Sequence, residues 1–154
     1  MKSPHSFLVI RPGRQSDLDQ MVCLLKKLFT IEKDFTFKEQ FQRRGLQIML
    51  ANESGCIMVA EAAGEIVGMC SAQLTVSTAE GGAAMLVEDV IVHEDFRRRG
   101  VGRQLMSRLA EWGRGKGVSR IQLLADRNNT AALAFYRKLG WQTTELICLR
   151  KVES

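Results

Sequence analysis

The chain has 154 residues, 45% of them apolar and 25% charged, a balance that suits one packed domain and argues against a disordered chain. The apolar run near its N-terminus, Phe7-Leu8-Val9-Ile10, is too short for a signal-peptide core or a membrane span, so a soluble, cytoplasmic, unprocessed protein with no membrane partner is expected. The net charge of +5 is unevenly spread, with nine Lys/Arg against thirteen Asp/Glu over residues 1–96 and eight against Glu111 alone over residues 97–120. A local basic cluster points to a discrete polyanionic ligand. A nucleic-acid surface would spread its charge and interleave aromatics, so nucleic acid is not expected as a partner.

Taken in order, Leu8 to Ile10 reads as a first strand that ends at Arg11-Pro12-Gly13. Ser16 followed by Asp19 has the spacing of a capping box, opening a helix whose apolar face is Leu18, Met21, Val22, Leu25, Leu28 and Phe29. Thr36 followed by Glu39 repeats that signal ahead of a helix through Phe41 to about Leu50, with Gly45 as its weak point. Cys56 to Ala62 and Glu65 to Val76 read as strands joined by a hairpin at Ala63-Gly64. After Glu80-Gly81-Gly82 comes a strand from Met85 to Val92, then a helix from about Gly100 to Lys116 with Val101, Leu105, Leu109 and Trp112 at helical spacing. Ile121 to Ala125 has the continuous apolar character of a strand buried in a parallel sheet. A compact helix from Thr130 to Leu139 is closed by Gly140, and Thr143 to Lys151 is expected to finish the fold as one or two strands. Antiparallel hairpins followed by strand-helix-strand-helix-strand predict a mixed α/β sheet with helices on both faces.

Cys23, Cys56, Cys70 and Cys148 form no C-x-x-C pair, and His5 and His93 stand far apart, so no zinc spacing exists. Each cysteine lies in an apolar stretch and is expected to be a small buried thiol of a reducing compartment.

The chemistry concentrates after the Met85–Val92 strand. His93-Glu94-Asp95-Phe96-Arg97-Arg98-Arg99-Gly100-Val101-Gly102 carries the chain through a basic turn into a helix. Free N–H groups and the positive helix end meet there, glycines admit an oxygen-rich ligand closely, and arginines can close around phosphate. Glu88-Asp89 interrupts the apolar strand, and a buried carboxylate pair is costly unless hydrogen-bonded or used. Strict alternation assigns Glu88 to the face of Val90 and Asp89 to the other. One strand later comes Asn129-Thr130-Ala131-Ala132-Leu133-Ala134-Phe135-Tyr136-Arg137-Lys138-Leu139-Gly140-Trp141, which holds the chain's single tyrosine.

These two segments resemble the GNAT superfamily of N-acetyltransferases. Arg97, Gly100 and Gly102 match its diphosphate loop [Q/R]-x-x-G-x-[G/A], and Asn129, Ala132, Tyr136, Gly140 and Trp141 match its later N-x-x-A-x-x-x-Y-x-x-x-G-[F/W]. The resemblance is specific over residues 85–142. It implies one N-acetyltransferase domain over residues 1–154, with a mostly antiparallel central sheet splayed at a central parallel strand pair. It implies acetyl-CoA as co-substrate: the backbone of Val90, Ile91 and Val92 along the pantetheine arm, the turn from Arg97, Arg98, Arg99, Gly100, Val101 and Gly102 to Arg103 around the phosphates, and Asn129 on the pantetheine side. Tyr136 would lie near the sulfur as general acid, and Glu88 matches the position of a candidate base acting directly or through water, while Asp89 fixes local structure. The expected activity is acetyl transfer to a primary amine of a small molecule or peptide. A non-catalytic acyl-CoA-binding module is the alternative, disfavoured by having both Tyr136 and Glu88. The N-terminal helices and the stretch Thr78 to Gly82 would line the acceptor side, where Glu32, Asp34 and Glu80 suit a cation, and homodimer formation stays open.

Overall fold

The computed structural model describes residues 8–154; Phe7 of the N-terminal apolar run and His5 lie outside them. The chain divides into two compact units, one running to Leu123 and the other from Leu124 to Ser154.

The first unit is a five-stranded sheet in simple chain order: β1 (Val9–Pro12), β2 (Gly55–Ala62), β3 (Glu65–Ser77), β4 (Gly82–Val92) and β5 (Arg120–Leu123). The first three pairings are antiparallel and β4 with β5 is parallel. The β2–β3 turn falls at Ala63-Gly64, both in the left-handed region, as a tight hairpin requires. Helices α1 (Leu18–Ile31) and α2 (Glu39–Leu50) cover one face, where Met21, Leu25, Leu28 and Leu46 bury against Ile57, Val59, Met69 and Ile91. Helix α3 (Val101–Gly115) covers the other. There the neighbours of Met69 along β3 face it: a Cβ on Gly68 would stand 3.1 Å from Leu105 Cδ1, and Cys70 Sγ donates to the Leu105 carbonyl at 3.6 Å. Alternation along β3 thus feeds two cores, one per face.

Local details depart from the sequence patterns in instructive ways. The entry to α1 is held by Asp17, through a 3-10 turn at Gln15–Asp17, and the Ser16–Asp19 pair has no part in it: the Arg14 N–H donates to the Asp17 carboxylate at 2.8 Å. Arg11 donates to the same carboxylate at 2.8 and 2.9 Å and to Glu61 at 3.0 Å, which ties β1 to the helix entry and to β2. Those bonds hold the Asp17 carboxyl below the usual carboxylate range. Helix α2 starts at Glu39, two residues later than the Thr36 box places it: Lys38 is the N-cap, and its N–H donates to the Gln42 side chain at 2.7 Å. Strand β1 runs on through Pro12, which an edge strand tolerates. Cys56 and Cys70 are buried, and burial pushes the Cys56 thiol up to about 11 and Cys70 higher still; Cys23 and Cys148 are exposed, against expectation. Cys23 sits on the outer side of α1, since neither its neighbour Leu24 nor the rest of the apolar face needs it in the core.

In the second unit, α4 (Thr130–Lys138) is closed as expected by Gly140 at φ +92°, where a side chain would be strained. The Gly140 N–H bonds the Arg137 carbonyl and the Trp141 N–H the Tyr136 carbonyl, each at 3.0 Å, completing a Schellman cap. The expected strands over Thr143–Lys151 do not form. Strand propensity yields ladder bonds only against a second strand, and this unit contains none, so Leu146, Ile147 and Leu149 stand 79%, 74% and 86% exposed.

Candidate functional site

The basic turn follows β4 through a short 3-10 turn, Glu94–Phe96, which His93 caps by accepting the Asp95 N–H on Nδ1 at 3.2 Å. Arg97 then folds back and donates Nε to the Val92 carbonyl at 3.0 Å, fixing the turn to the strand end. Arg98 and Gly100 adopt φ +63° and +79°. Gly100 is the residue before α3, and there its freedom from Cβ matters, because left-handed backbone at that point swings the chain into the helix. No side chain caps α3. Among the described residues the Gln104 N–H is the first to find a carbonyl, that of Gly100 at 3.1 Å, which leaves the N–H groups of Val101, Gly102 and Arg103 aimed outward at the positive helix end. Arg98, Arg99 and Arg103 are exposed around this cradle, with the Arg99 guanidinium 5.7 Å from the Phe96 ring. Three donors and a cluster of arginines for which no ion pair forms among the described residues suit an anion with several oxygens, such as a diphosphate.

Strand β4 connects this turn to a second feature. Its parallel pairing with β5 spans only Ala84–Val87, so no strand pairs with β4 on that side from Glu88 through Val90, Ile91 and Val92. An extended polar chain can meet strand backbone on such an unpaired stretch. On the β3 side, Met69 opposes Ile91 while Ser71 opposes Glu88, so Asp89 and Val90 together face one residue and form a bulge. Asp89 takes φ +54°, a conformation Asp accepts better than most side chains. The buried Ser71 hydroxyl stabilises the bulge, lying 3.1 Å from the Glu88 carbonyl and 3.3 Å from Asp89 Oδ2.

The bulge overturns the alternation argument. Glu88 and Asp89 do not part to opposite faces; both line one cleft with Leu25 and Phe29 of α1 and with Phe41, Gly45, Ile48 and Met49 of α2. The cavity measures about 340 Å³, the size of a small-molecule site. Burial first, and the neighbouring Glu88 charge second, push the Asp89 carboxyl up to about 6, against the pull of the Ser71 hydroxyl.

Other expected acidic residues do not line this cleft. Glu80 is engaged with Ser119 Oγ at 3.3 Å and Arg120 at 3.6 Å, and Glu32 and Asp34 are not among the cleft residues. Gln42, Asn52 and Gln73 belong to the cleft without having been singled out by sequence, and Gly45 was noted only as a weak point of the helix; their placing in α2, the turn after it and β3 carries no motif. Ser71 left one legible sign, a hydroxyl inside the otherwise apolar run of β3.

In the second unit, Asn129 is the N-cap of α4, its Oδ1 accepting the Ala132 N–H at 3.1 Å and its amide nitrogen remaining as a donor. Tyr136 is half-buried, its ring centroid 5.2 Å from Phe135 and 5.8 Å from Trp141.

Comparison with known proteins agrees with this architecture. The model of the acetyltransferase (GNAT) family matches residues 19–141. An acetyltransferase of Pectobacterium atrosepticum is 30% identical over 142 residues, covering 92% of this chain and 93% of that protein. An uncharacterised N-acetyltransferase of Methanocaldococcus jannaschii is 25% identical over 140 residues, 90% of this chain but only 62% of the length of that protein. Among solved structures, AAC(6')-Iy in complex with the bisubstrate analogue CoA-S-monomethyl-acetylneamine shares the fold, with a TM-score of 0.82 at 21% identity over 96% of this chain and 99% of that one. The chain belongs to the acetyltransferase (GNAT) family.

Proposed function

We propose that the protein transfers an acetyl group from acetyl-CoA to a primary amine. The observation that carries this reading is the uncapped start of α3, where three backbone N–H groups and the surrounding arginines form a cradle for a diphosphate. In this reading the N–H groups from Arg98 to Arg103 hold the phosphates, and Val90 to Val92 offer backbone to the pantetheine arm. Asn129 donates its amide N–H to that arm. The family match and the solved complexes of AAC(6')-Iy with CoA and with a CoA-linked acceptor support the assignment of the co-substrate.

Acetyl-CoA supplies an acetyl group activated as a thioester; the chain's own residues manage protons. An alkylammonium titrates near ~10.4 and has no lone pair for attack until it gives up a proton, which Glu88 accepts directly or through one water. The amine nitrogen then bonds the carbonyl carbon, the C–S bond breaks, and the acylated nitrogen gives up its second proton to water as the neutral amide forms. The departing thiolate, with a reference value near ~8.5, takes the Tyr136 hydroxyl proton, and the tyrosinate recovers it from solvent.

A panel of primary amines assayed for acetyl-CoA-dependent thiol release tests the reading directly. Release with at least one amine is expected, and Tyr136→Phe should lower kcat about 10²–10⁴-fold with CoA affinity unchanged. Tight CoA binding with no release for any amine would make the chain an acyl-CoA-binding module instead.

A further inference from the structure

Two features of the cleft beside β4 are unusual for a surface that receives a cation. Leu25, Phe29, Phe41, Leu46, Ile48 and Met49 give it an apolar side, and these groups are not all spare core: Phe41 and Ile48 stand 52% and 61% exposed although α2 already buries Leu46 against the sheet. Its negative charge is confined to one end, at Glu88 and Asp89, and no Lys or Arg lines it. The rim is basic, with Lys38 Nζ 5.3 Å and the Arg44 guanidinium 5.9 Å from the Phe41 ring centroid.

Resting on the transferase reading above, we infer that this cleft selects a primary amine bearing a single positive charge on an apolar body, and disfavours polycations. One ammonium meets the Glu88–Asp89 end, where the bulge brings both residues into the cleft lining and the Ser71 hydroxyl lies 3.1 Å from the Glu88 main-chain carbonyl and 3.3 Å from Asp89 Oδ2. The body of the ligand then covers Phe29, Phe41, Ile48 and Met49, removing apolar surface from water. A second or third ammonium would lie against those walls without a carboxylate, and would approach Lys38 and Arg44 with like charge. The amides of Gln42, Asn52 and Gln73 leave room for one neutral polar group.

Gly45 provides the handle for a test. A Cβ built there meets no protein atom within 4 Å, so a side chain at this lining position starts in open space, and a larger one is expected to take up room in the cleft. They also improve helix propensity, so the variants should fold. Phenethylamine, spermidine and kanamycin are compared in two ways: equilibrium binding by NMR without acetyl-CoA, and kcat/KM with it. Phenethylamine should bind, and its kcat/KM should exceed that of either polycation at least tenfold. Gly45→Leu should erase that preference and Gly45→Ala should keep it.

Preferred acetylation of spermidine or kanamycin, or a preference untouched by Gly45→Leu, overturns the inference and leaves the transferase reading intact. Phenethylamine binding that Gly45→Leu abolishes, without turnover of any amine, supports the cleft chemistry and sinks the transferase reading. Neither binding nor turnover sinks both.

Discussion

The turn Arg97–Gly102 and the cleft beside Glu88 lie toward opposite ends of one stretch of strand, yet they are built in opposite ways. The turn is contiguous: a dozen residues supply its donors, its arginines and its left-handed backbone, and it is anchored by the Arg97 bond to the Val92 carbonyl and by the His93 N–H bond to the Val67 carbonyl of β3 at 2.7 Å. The cleft is assembled from α1, α2, the turn after α2, β3 and β4, and the residues that each contributes mean nothing apart from the others. One region offers donors without an acceptor; the other offers acceptors against an apolar wall. A diphosphate-bearing donor and a monocationic acceptor can therefore be held apart along β4, with their reactive ends brought toward the stretch between.

If the two regions divide the work in this way, substitutions in one should leave the other's ligand undisturbed. Of the substitutions in the cleft, Glu88→Gln should have the largest effect on turnover, because it keeps shape but removes basicity. It should lower kcat/KM for the amine about 10²-fold at neutral pH, recover partly at high pH where free amine is abundant, and leave CoA affinity unchanged. His93, intrinsically the better base near neutrality, is committed to capping the turn through Nδ1, so His93→Ala should retain the acidic limb of the pH–rate profile. Loss of that limb in His93→Ala, with its survival in Glu88→Gln, would move the base to the turn and break the comparison.

Asp89 sharpens it through stability. Its carboxyl titrates near 6 in the folded chain against an ordinary value of 3.8. Between those values the folded protein holds a proton that the unfolded chain has released, so stability falls as pH rises through this window. Asp89→Asn has no such proton to lose. Denaturation at about pH 4 and about pH 8 should show the variant gaining about 1–3 kcal/mol on the wild type between them. A pH-independent difference would mean that the carboxylate is better solvated than the bulge suggests.

The smallest effect is expected at the other region. Gly100→Ala imposes a side chain at φ +79° and should cost about 1–2 kcal/mol of stability, with weaker CoA binding and an unchanged KM for the amine. A rise in amine KM of similar size would show that the two regions are coupled.

The contrast also explains what could be read from sequence. The turn was legible because spacing along the chain is its geometry, and the same holds for the Gly140 cap and the Ala63-Gly64 hairpin. The cleft was not, because strand alternation fails wherever a bulge adds a residue, and nothing near Glu88-Asp89 announces one until Ser71 is seen opposite. The helix entries failed for a related reason. Ser16, Asp19 and Thr36 have the right spacing, but Asp17 is claimed by Arg11 from β1, a residue that only the fold brings near. At the far end, the apolar run Leu146-Ile147-Cys148-Leu149 within Thr143–Lys151 suits a strand whose partner the second unit does not supply.

The central claim is that the N–H cradle at the start of α3 holds the diphosphate of CoA. Calorimetric titration of CoA into the wild type and into Gly102→Glu tests it most directly, since the variant adds bulk and negative charge where phosphate belongs. The account predicts a clear binding isotherm for the wild type and a loss of affinity of about 100-fold or more for a folded Gly102→Glu, from a carboxylate set against phosphate at a helix N-terminus. Equal CoA affinity in the two folded proteins would contradict it.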